Sequence, residues 1–299
     1  MIYTVTFNPA IDYVIRCAEV TAGAVNRAEY EHLCFGGKGI NVSQVLAQLG
    51  VSSCALGFTA GFTGAAIEDG LRAQGIQTDF IRIEEGFSRI NVKLKADLET
   101  EINGRGPRIE ERHIGQLFDR LSRLTSGDVL VLAGSVPTSV SADIYEQILA
   151  RVEGKGVRTV VDASGELLRN VLPHRPWLIK PNIHELSELF SAEIRGASQA
   201  LEYAARLQEM GAGNVLVSMA GDGSVLLDEE GRSFTCGVCR GEVRNSVGAG
   251  DSMVAGFIAG CERGSEYALK LGTACGGATA FSDGIADRAL IERLLRTLN

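Results

Sequence analysis

Two glycine-rich stretches and a short strand-end element hold the side chains of this chain that could do chemistry. "NSVGAGDSMVAGFI", residues 245–258, sets Gly248, Ala249 and Gly250 ahead of Asp251 and an apolar run. Small residues let an anion approach the backbone, and the amides at a helix start add donors and a positive dipole end. Asp251 in that first turn reads two ways. It caps the helix, or it accepts a proton beside an anion site. The stretch is no Walker A loop, which needs Lys followed by Ser or Thr after its last glycine. Nor is it G-x-G-x-x-G, because Met253 stands at the third glycine position. A dinucleotide fold is disfavoured.

The second stretch, "FGGKGINVSQVLAQLG" at residues 35–50, surrounds Lys38 with Gly36, Gly37 and Gly39, and Asn41 opens a helix. A cation and uncovered amides at a helix start suit a phosphorylated or polyhydroxylated ligand. Glycines this dense cost conformational entropy unless their backbone freedom is used. In "LIKPNIHEL", Lys180, Asn182 and Glu185 follow a buried strand. Asn182 and Glu185 share a helical face and could orient a hydrated Mg²⁺ with phosphates, or form a capping box; the local pattern favours the box. Asp12 follows "NPAI" at the end of the first strand, a usual place for a ligand contact in an open α/β sheet. His32, His113, His174 and His184 have neither metal spacing nor a triad context. "CGVC", Cys236–Cys239, is a single CxxC without a second pair and reads as strand or turn rather than a zinc or redox site.

The elements that must position these residues follow from apolar periodicity. "IYTVTF", "CALGF", "VLVLAG", "VRTVVD", "WLIKPN" and "NVLVSMAG" read as buried strands. Between them, Val42, Val45, Leu46 and Leu49 lie on one helical face, as do Ile114, Leu117, Phe118 and Leu121, and Ile144, Ile148 and Leu149. Short apolar strands alternating with amphipathic helices predict an α/β fold with a mostly parallel sheet covered on both sides. "RINVKLKADLETEINGRG" breaks that rhythm. Ile90, Val92, Leu94 and Ala96 alternate with Asn91, Lys93, Lys95 and Asp97, a strand with one dry and one wet face. With "DYVIRCAEV" and "VNRAEYEHL" it predicts a small antiparallel flap whose apolar face needs a cover, from substrate, a second flap or both.

Composition bounds the function. The 299 residues carry a net charge of −8, which argues against nucleic acid or an anionic membrane as the main partner. An anionic substrate must therefore be caught by local cations and backbone dipoles. Seven cysteines, an odd number scattered through apolar stretches, suit a reducing compartment. "MIYTVTFNPAID" has no basic n-region and no run approaches a membrane span. A cytoplasmic protein is expected.

Taken together, these elements resemble the ribokinase-like, or PfkB-type, carbohydrate kinases. "GGKGINVSQVLAQLG" is similar to the family's first signature, "NSVGAGDSMVAGFI" to its second, and "KPNIHEL" to the N-x-x-E element between them; the likeness runs from "YTVTFNPAIDYV" to "GGATAFSDG". Within the family, "TVTFNPAID", "RINVK", "TEINGRGP" and "LAGSVP" resemble the bacterial 1-phosphofructokinase group. The resemblance implies a three-layer α/β/α sandwich over residues 1–299, a single kinase domain with a β lid from about 12–34 and 88–104. It implies ATP- and Mg²⁺-dependent phosphorylation of D-fructose 1-phosphate, with tagatose 6-phosphate as the alternative acceptor. A homodimer joined through the lid is also expected.

The resemblance implies residue roles as well. Asp251 would be the base and the amides of Gly248, Ala249 and Gly250 the anion hole. In a loose transition state the proton leaves late, so a carboxylate of ordinary or lowered pKa suffices. Asp12, Gly37, Lys38 and Asn41 would hold the sugar, Arg89 and Arg27 its phosphate, and Asn103 and Ser135 would be secondary contacts. Lys180, Asn182, Ser218, Gly221, Gly223, Ser246 and Gly277 would hold ATP, with Glu185 organising Mg²⁺ through water. The chain departs from the pattern at Ser88, Arg105 and Ala220, where Thr, Pro and Gly are usual. None removes a chemical group, although Ala220 would crowd the phosphates slightly.

Overall fold

The six buried runs become neighbouring strands of one twisted sheet in the computed structural model, which describes residues 1–298. The strands are β1 (Ile2–Thr6), β4 (Ser53–Ala60), β5 (Gln77–Thr78), β6 (Ile81–Ile83), β9 (Val129–Ala133), β10 (Arg158–Asp162), β11 (Leu178–Ile179), β12 (Asn214–Ser218), β13 (Ser224–Leu227) and β14 (Ser233–Cys236). Their order is β14-β13-β12-β11-β10-β9-β1-β4-β5, with β6 also on β4. All pairings from β12 to β5 are parallel, and β13 and β14 add antiparallel strands at one edge.

Both faces of the sheet are dry, which is why these strands read as continuous apolar runs. On one side Leu130 and Leu132 of β9 pack with helices α3 (Glu111–Ser122), α4 (Ile144–Val152), α5 (Gly165–Val171), α6 (Ile183–Phe190) and α7 (Gly196–Glu209). On the other, Val129 and Val131 meet α1 (Lys38–Gln48), α8 (Ala249–Gly260), α9 (Ser265–Ala280) and α10 (Arg288–Leu295). The three predicted helical faces fall on α1, α3 and α4. The strand order reverses between β1 and β9, so the loops after the strands part there and leave a crevice.

The flap is a separate four-stranded sheet, β3-β2-β7-β8, built from β2 (Ala10–Arg16), β3 (Tyr30–Gly36), β7 (Arg89–Lys95) and β8 (Glu99–Asn103). Its outer pairs are antiparallel, while the central β2–β7 pair runs parallel. Where the flap joins the body, Ile11, Phe35 and Ile90 pack toward Ile67 and Leu71 of α2 (Gly61–Ala73). Farther out the wet face of the predicted alternation looks inward and the dry face outward. The polar row Asn91 and Lys93 is buried, at 7% and 9% exposure. The apolar row Leu33–Tyr13–Val92–Ile102 faces outward, with Leu33 and Ile102 exposed. The wet face is turned inward because the cavity it covers presents charged groups, among them Lys38, Asp162, Lys180 and Asp251.

Candidate active site

The crevice at the strand ends holds a cavity of about 890 Å³ walled by the flap, α1, α6, α8 and α9. The glycines of the first signature bring α1 close to β1. Gly37, at the N-cap of α1, has φ 122°, and a methyl group there would come within 2.6 Å of Thr6 Cγ2. The helix therefore starts at Lys38, earlier than Asn41 suggested. Asn41 is not a cap; its Nδ2 donates to Asp251 Oδ2 at 2.8 Å.

Gly248 caps α8 in the left-handed region, φ 80°, and Asp251 stands in the first turn. No side-chain capping bond forms there. Asp251 is only 4% exposed. Burial, then the neighbouring Asp162 carboxylate, push its pKa up to about 7, against the pull of Asn41, Lys38 and Lys180. A late proton transfer asks for no more than an ordinary or lowered value; burial gives a raised one, so the group titrates near neutral pH.

The cavity wall also carries Asp12, Gly37, Lys38, Arg89 and Asn103 from the expected sugar set. Asp12 accepts from Asn91 Nδ2 at 2.8 Å and lies 3.6 Å from Lys93 Nζ. Arg89 reaches in from the flap, and its buried Nε has no hydrogen-bond partner. Burial lowers its proton affinity, with Asp12 opposing. An unpartnered guanidinium in a cavity is a receptor for an anion. Two expected contacts fall elsewhere. Ser135 lines a neighbouring depression of about 730 Å³ that meets the main cavity only at Lys38 and Asp162. Arg27 is exposed in the segment between β2 and β3 and is not on the cavity wall.

Lys180, Asn182, Ser218, Gly221, Gly223, Ser246 and Gly277 all border the cavity, with Glu185 beside them. Asn182 and Glu185 do form a capping box: Asn182 Oδ1 accepts from the Glu185 amide at 2.8 Å, and Glu185 Oε2 accepts from the Asn182 amide at 2.8 Å. Ala220 has φ 49°, the left-handed region that favours the usual glycine. Gly277 is pressed against Cys239, whose Cβ a methyl group would approach to 2.7 Å. Cys236 and Cys239 are buried, and burial pushes both thiols up, Cys239 to about 11.

Several groups on the cavity wall escaped the sequence reading, Asp162 first among them. Asp162 closes β10 in full burial, with Lys38 Nζ at 3.2 Å and Lys180 Nζ at 3.4 Å. Burial would lift it, but the two lysines hold its carboxyl below the usual range. Its signal was the position, a carboxylate at the carboxyl end of a central strand. Asn91, Lys93 and Glu101 were likewise missed, since alternation alone did not say which face looks inward.

Two glycine loops at helix starts, one buried carboxylate with a raised pKa and several cations thus converge on one cavity. The pfkB family carbohydrate kinase pattern matches residues 5–290. The chain belongs to the pfkB family of carbohydrate kinases. This kinase is 45% identical over 297 residues to the 1-phosphofructokinase of Bacillus subtilis (strain 168), covering 99% of this chain and 97% of that protein. It is 35% identical over 296 residues to the D-tagatose-1-phosphate kinase of Bacillus licheniformis, covering 98% and 97%. Phosphofructokinase-2 from Escherichia coli, solved in complex with substrates and products, shares the fold with a TM-score of 0.92 at 26% identity, covering 99% of this chain and 98% of that one.

Proposed function

We propose that this kinase transfers the γ-phosphoryl group of ATP to the 6-hydroxyl of D-fructose 1-phosphate, giving ADP and fructose 1,6-bisphosphate. The observation that carries the mechanism is Asp251, buried at the start of α8 beside the open Gly248–Gly250 loop. As the hydroxyl oxygen bonds to phosphorus and the bond to ADP breaks, the hydroxyl proton passes to Asp251. The loop amides offset the charge on the transferring group. Asp12, Lys38, Asn41 and Asn103 orient the sugar, and Arg89 takes the phosphate the sugar already carries. Lys180, Asn182, Ser218, Gly221, Gly223, Ser246 and Gly277 form the nucleotide side.

A hydrated Mg²⁺ held by phosphates and water fits this donor set better than a protein cage. Among the described residues no three His, Cys, Asp or Glu groups converge as metal ligands, and one oxygen of Glu185 is already used in the capping box. That leaves Glu185 an outer-shell role. The outward-facing Leu33–Tyr13–Val92–Ile102 row, exposed at Leu33 and Ile102, supports a homodimer through the flap, because an apolar sheet face wants a cover. A light-scattering mass near the monomer's 31.8 kDa at working concentration rules that assembly out. Seven unpaired thiols support a reducing, cytoplasmic setting.

The deciding experiment is ADP release with fructose 1-phosphate, tagatose 1-phosphate, tagatose 6-phosphate and fructose 6-phosphate, for the parent and Asp251→Asn. We expect the highest kcat/KM with fructose 1-phosphate and a loss of kcat of at least ~10²-fold in the variant. The likeness to a D-tagatose-1-phosphate kinase makes that epimer the chief rival, ahead of tagatose 6-phosphate. A preference for tagatose 1-phosphate overturns the acceptor while leaving the kinase; an active Asp251→Asn overturns the base.

A further inference from the structure

Four charged side chains meet beneath the Gly248–Gly250 loop, and they are paired unevenly. Asp162 spends both oxygens on cations, Oδ2 on Lys38 and Oδ1 on Lys180. Lys180 is itself 5% exposed, and a methyl group on Gly250 would come within 2.9 Å of its Nζ, so the ammonium lies against the loop. Asp251 occupies the same space, yet no cation pairs with it among the described residues. Its one side-chain donor there is the neutral Asn41 amide. In its acid form Asp251 is near enough to donate to Asp162. The other titratable groups facing the cluster are Glu185 of α6, which feels Lys38, and Tyr145 of α4, whose hydroxyl is committed to Gly134 O at 3.0 Å.

This division of partners has a chemical consequence. A lysine paired with Asp251 would stabilise its ionised form and depress its basicity by about 1–3 pH units. A buried lysine without Asp162 would have every reason to make that pair, since an uncompensated buried charge is costly. We propose that Asp162 is a positioning residue for phosphoryl transfer: it withholds Lys38 and Lys180 from Asp251, leaving that carboxylate free for the substrate hydroxyl, and fixes the Lys180 ammonium against the loop that receives the phosphoryl group. The proposal rests on Asp251 being the base.

The test is the pH dependence of kcat/KM for the parent, Asp162→Asn and the double variant Asp162→Asn/Lys180→Met, all with ATP and fructose 1-phosphate. Substrate phosphates titrate identically in each, so the difference between variants is the readout. In Asp162→Asn the released lysines move onto Asp251 and the Asp162 charge that lifts it is gone, so the acid limb shifts to lower pH by about one unit or more. The lysines' share is the part the double variant restores, and a double variant that restores none of it overturns the proposal. Removing Lys180 as well moves the limb back toward the parent. A purely structural Asp162 lowers activity at every pH and leaves the limb in place, which overturns the proposal, as does an upward shift. If circular dichroism shows Asp162→Asn unfolded, Lys180→Met alone decides: with Lys180 held by Asp162, its removal moves the limb by well under about one pH unit, and an upward shift of about one unit or more overturns the proposal. Asp251→Asn keeps the two failures apart, because activity retained there sinks the base assignment itself.

Discussion

Replacing Asp251 by Asn is expected to stabilise the fold while stopping the reaction, by an amount that grows with pH. Burial first, and Asp162 second, raise the folded-state pKa from 3.8 to about 7. The fold therefore favours the acid form: the stability this group contributes is complete below about pH 3.8 and is lost as pH rises through about 7. Weighting both ionisations at ~1.36 kcal/mol per pH unit, the cost is roughly 4 kcal/mol at pH 8 and under about 2 kcal/mol at pH 5. An amide avoids that cost, keeps the shape, and can still accept from Asn41. Lys38 and Lys180 lose one neighbouring anion, which trims the gain, but Asp162 still pairs both. At ~2 °C per kcal/mol for a chain of this size, Tm by differential scanning calorimetry rises roughly 5–8 °C at pH 8 and less than about half as much at pH 5. A variant no more stable than the parent at pH 8, or equally stabilised at both pH values, refutes the reasoning.

Three further outcomes follow from named contacts. Asn41→Ala removes the one hydrogen bond that favours ionised Asp251, a charge-assisted bond of about 1.5–3 kcal/mol. The acid limb of kcat/KM then rises by about one to two pH units; a loss uniform from pH 6 to 9 would assign Asn41 to sugar binding alone. Arg89→Leu removes a buried guanidinium whose Nε is unpartnered. KM for the sugar phosphate rises about 10- to 100-fold, while ligand-free Tm holds or increases; a fall in both kcat and Tm with KM unchanged contradicts the phosphate role. Ala220→Gly relieves a left-handed alanine that costs about 1–2 kcal/mol, partly returned as glycine entropy. Tm is expected to rise by a degree or two, at about 2 °C per kcal/mol, and a lower Tm counts against strain at that turn.

Local pattern went a long way with this protein. The strands, the helices α1, α3 and α4, the two glycine loops and Asp251 were legible because each is set by short-range rules: apolar period, turn chemistry, and backbone left bare for an anion. Those rules act over a few residues and say nothing of partners far along the chain. Asn41 and Asp251 are 210 residues apart, and only their meeting made Asn41 a hydrogen-bond donor to Asp251 and took Asp251 from cap or base to a buried acid titrating near neutrality. Lys38 reaches Asp162 across 124 residues, so no window of sequence could show that Asp162 takes the lysines. The flap makes the same point. Its alternation fixed two faces but not which one looks inward, because that depends on what lies beneath, a cavity into which α1, α6 and α8 bring charged groups. Ser135 and Arg27 were placed by likeness to a motif, and the fold set one in the next depression and the other on an exposed segment. Sequence determined which groups were present and what backbone carried them; tertiary structure decided their neighbours, and burial beside those neighbours sets their chemistry.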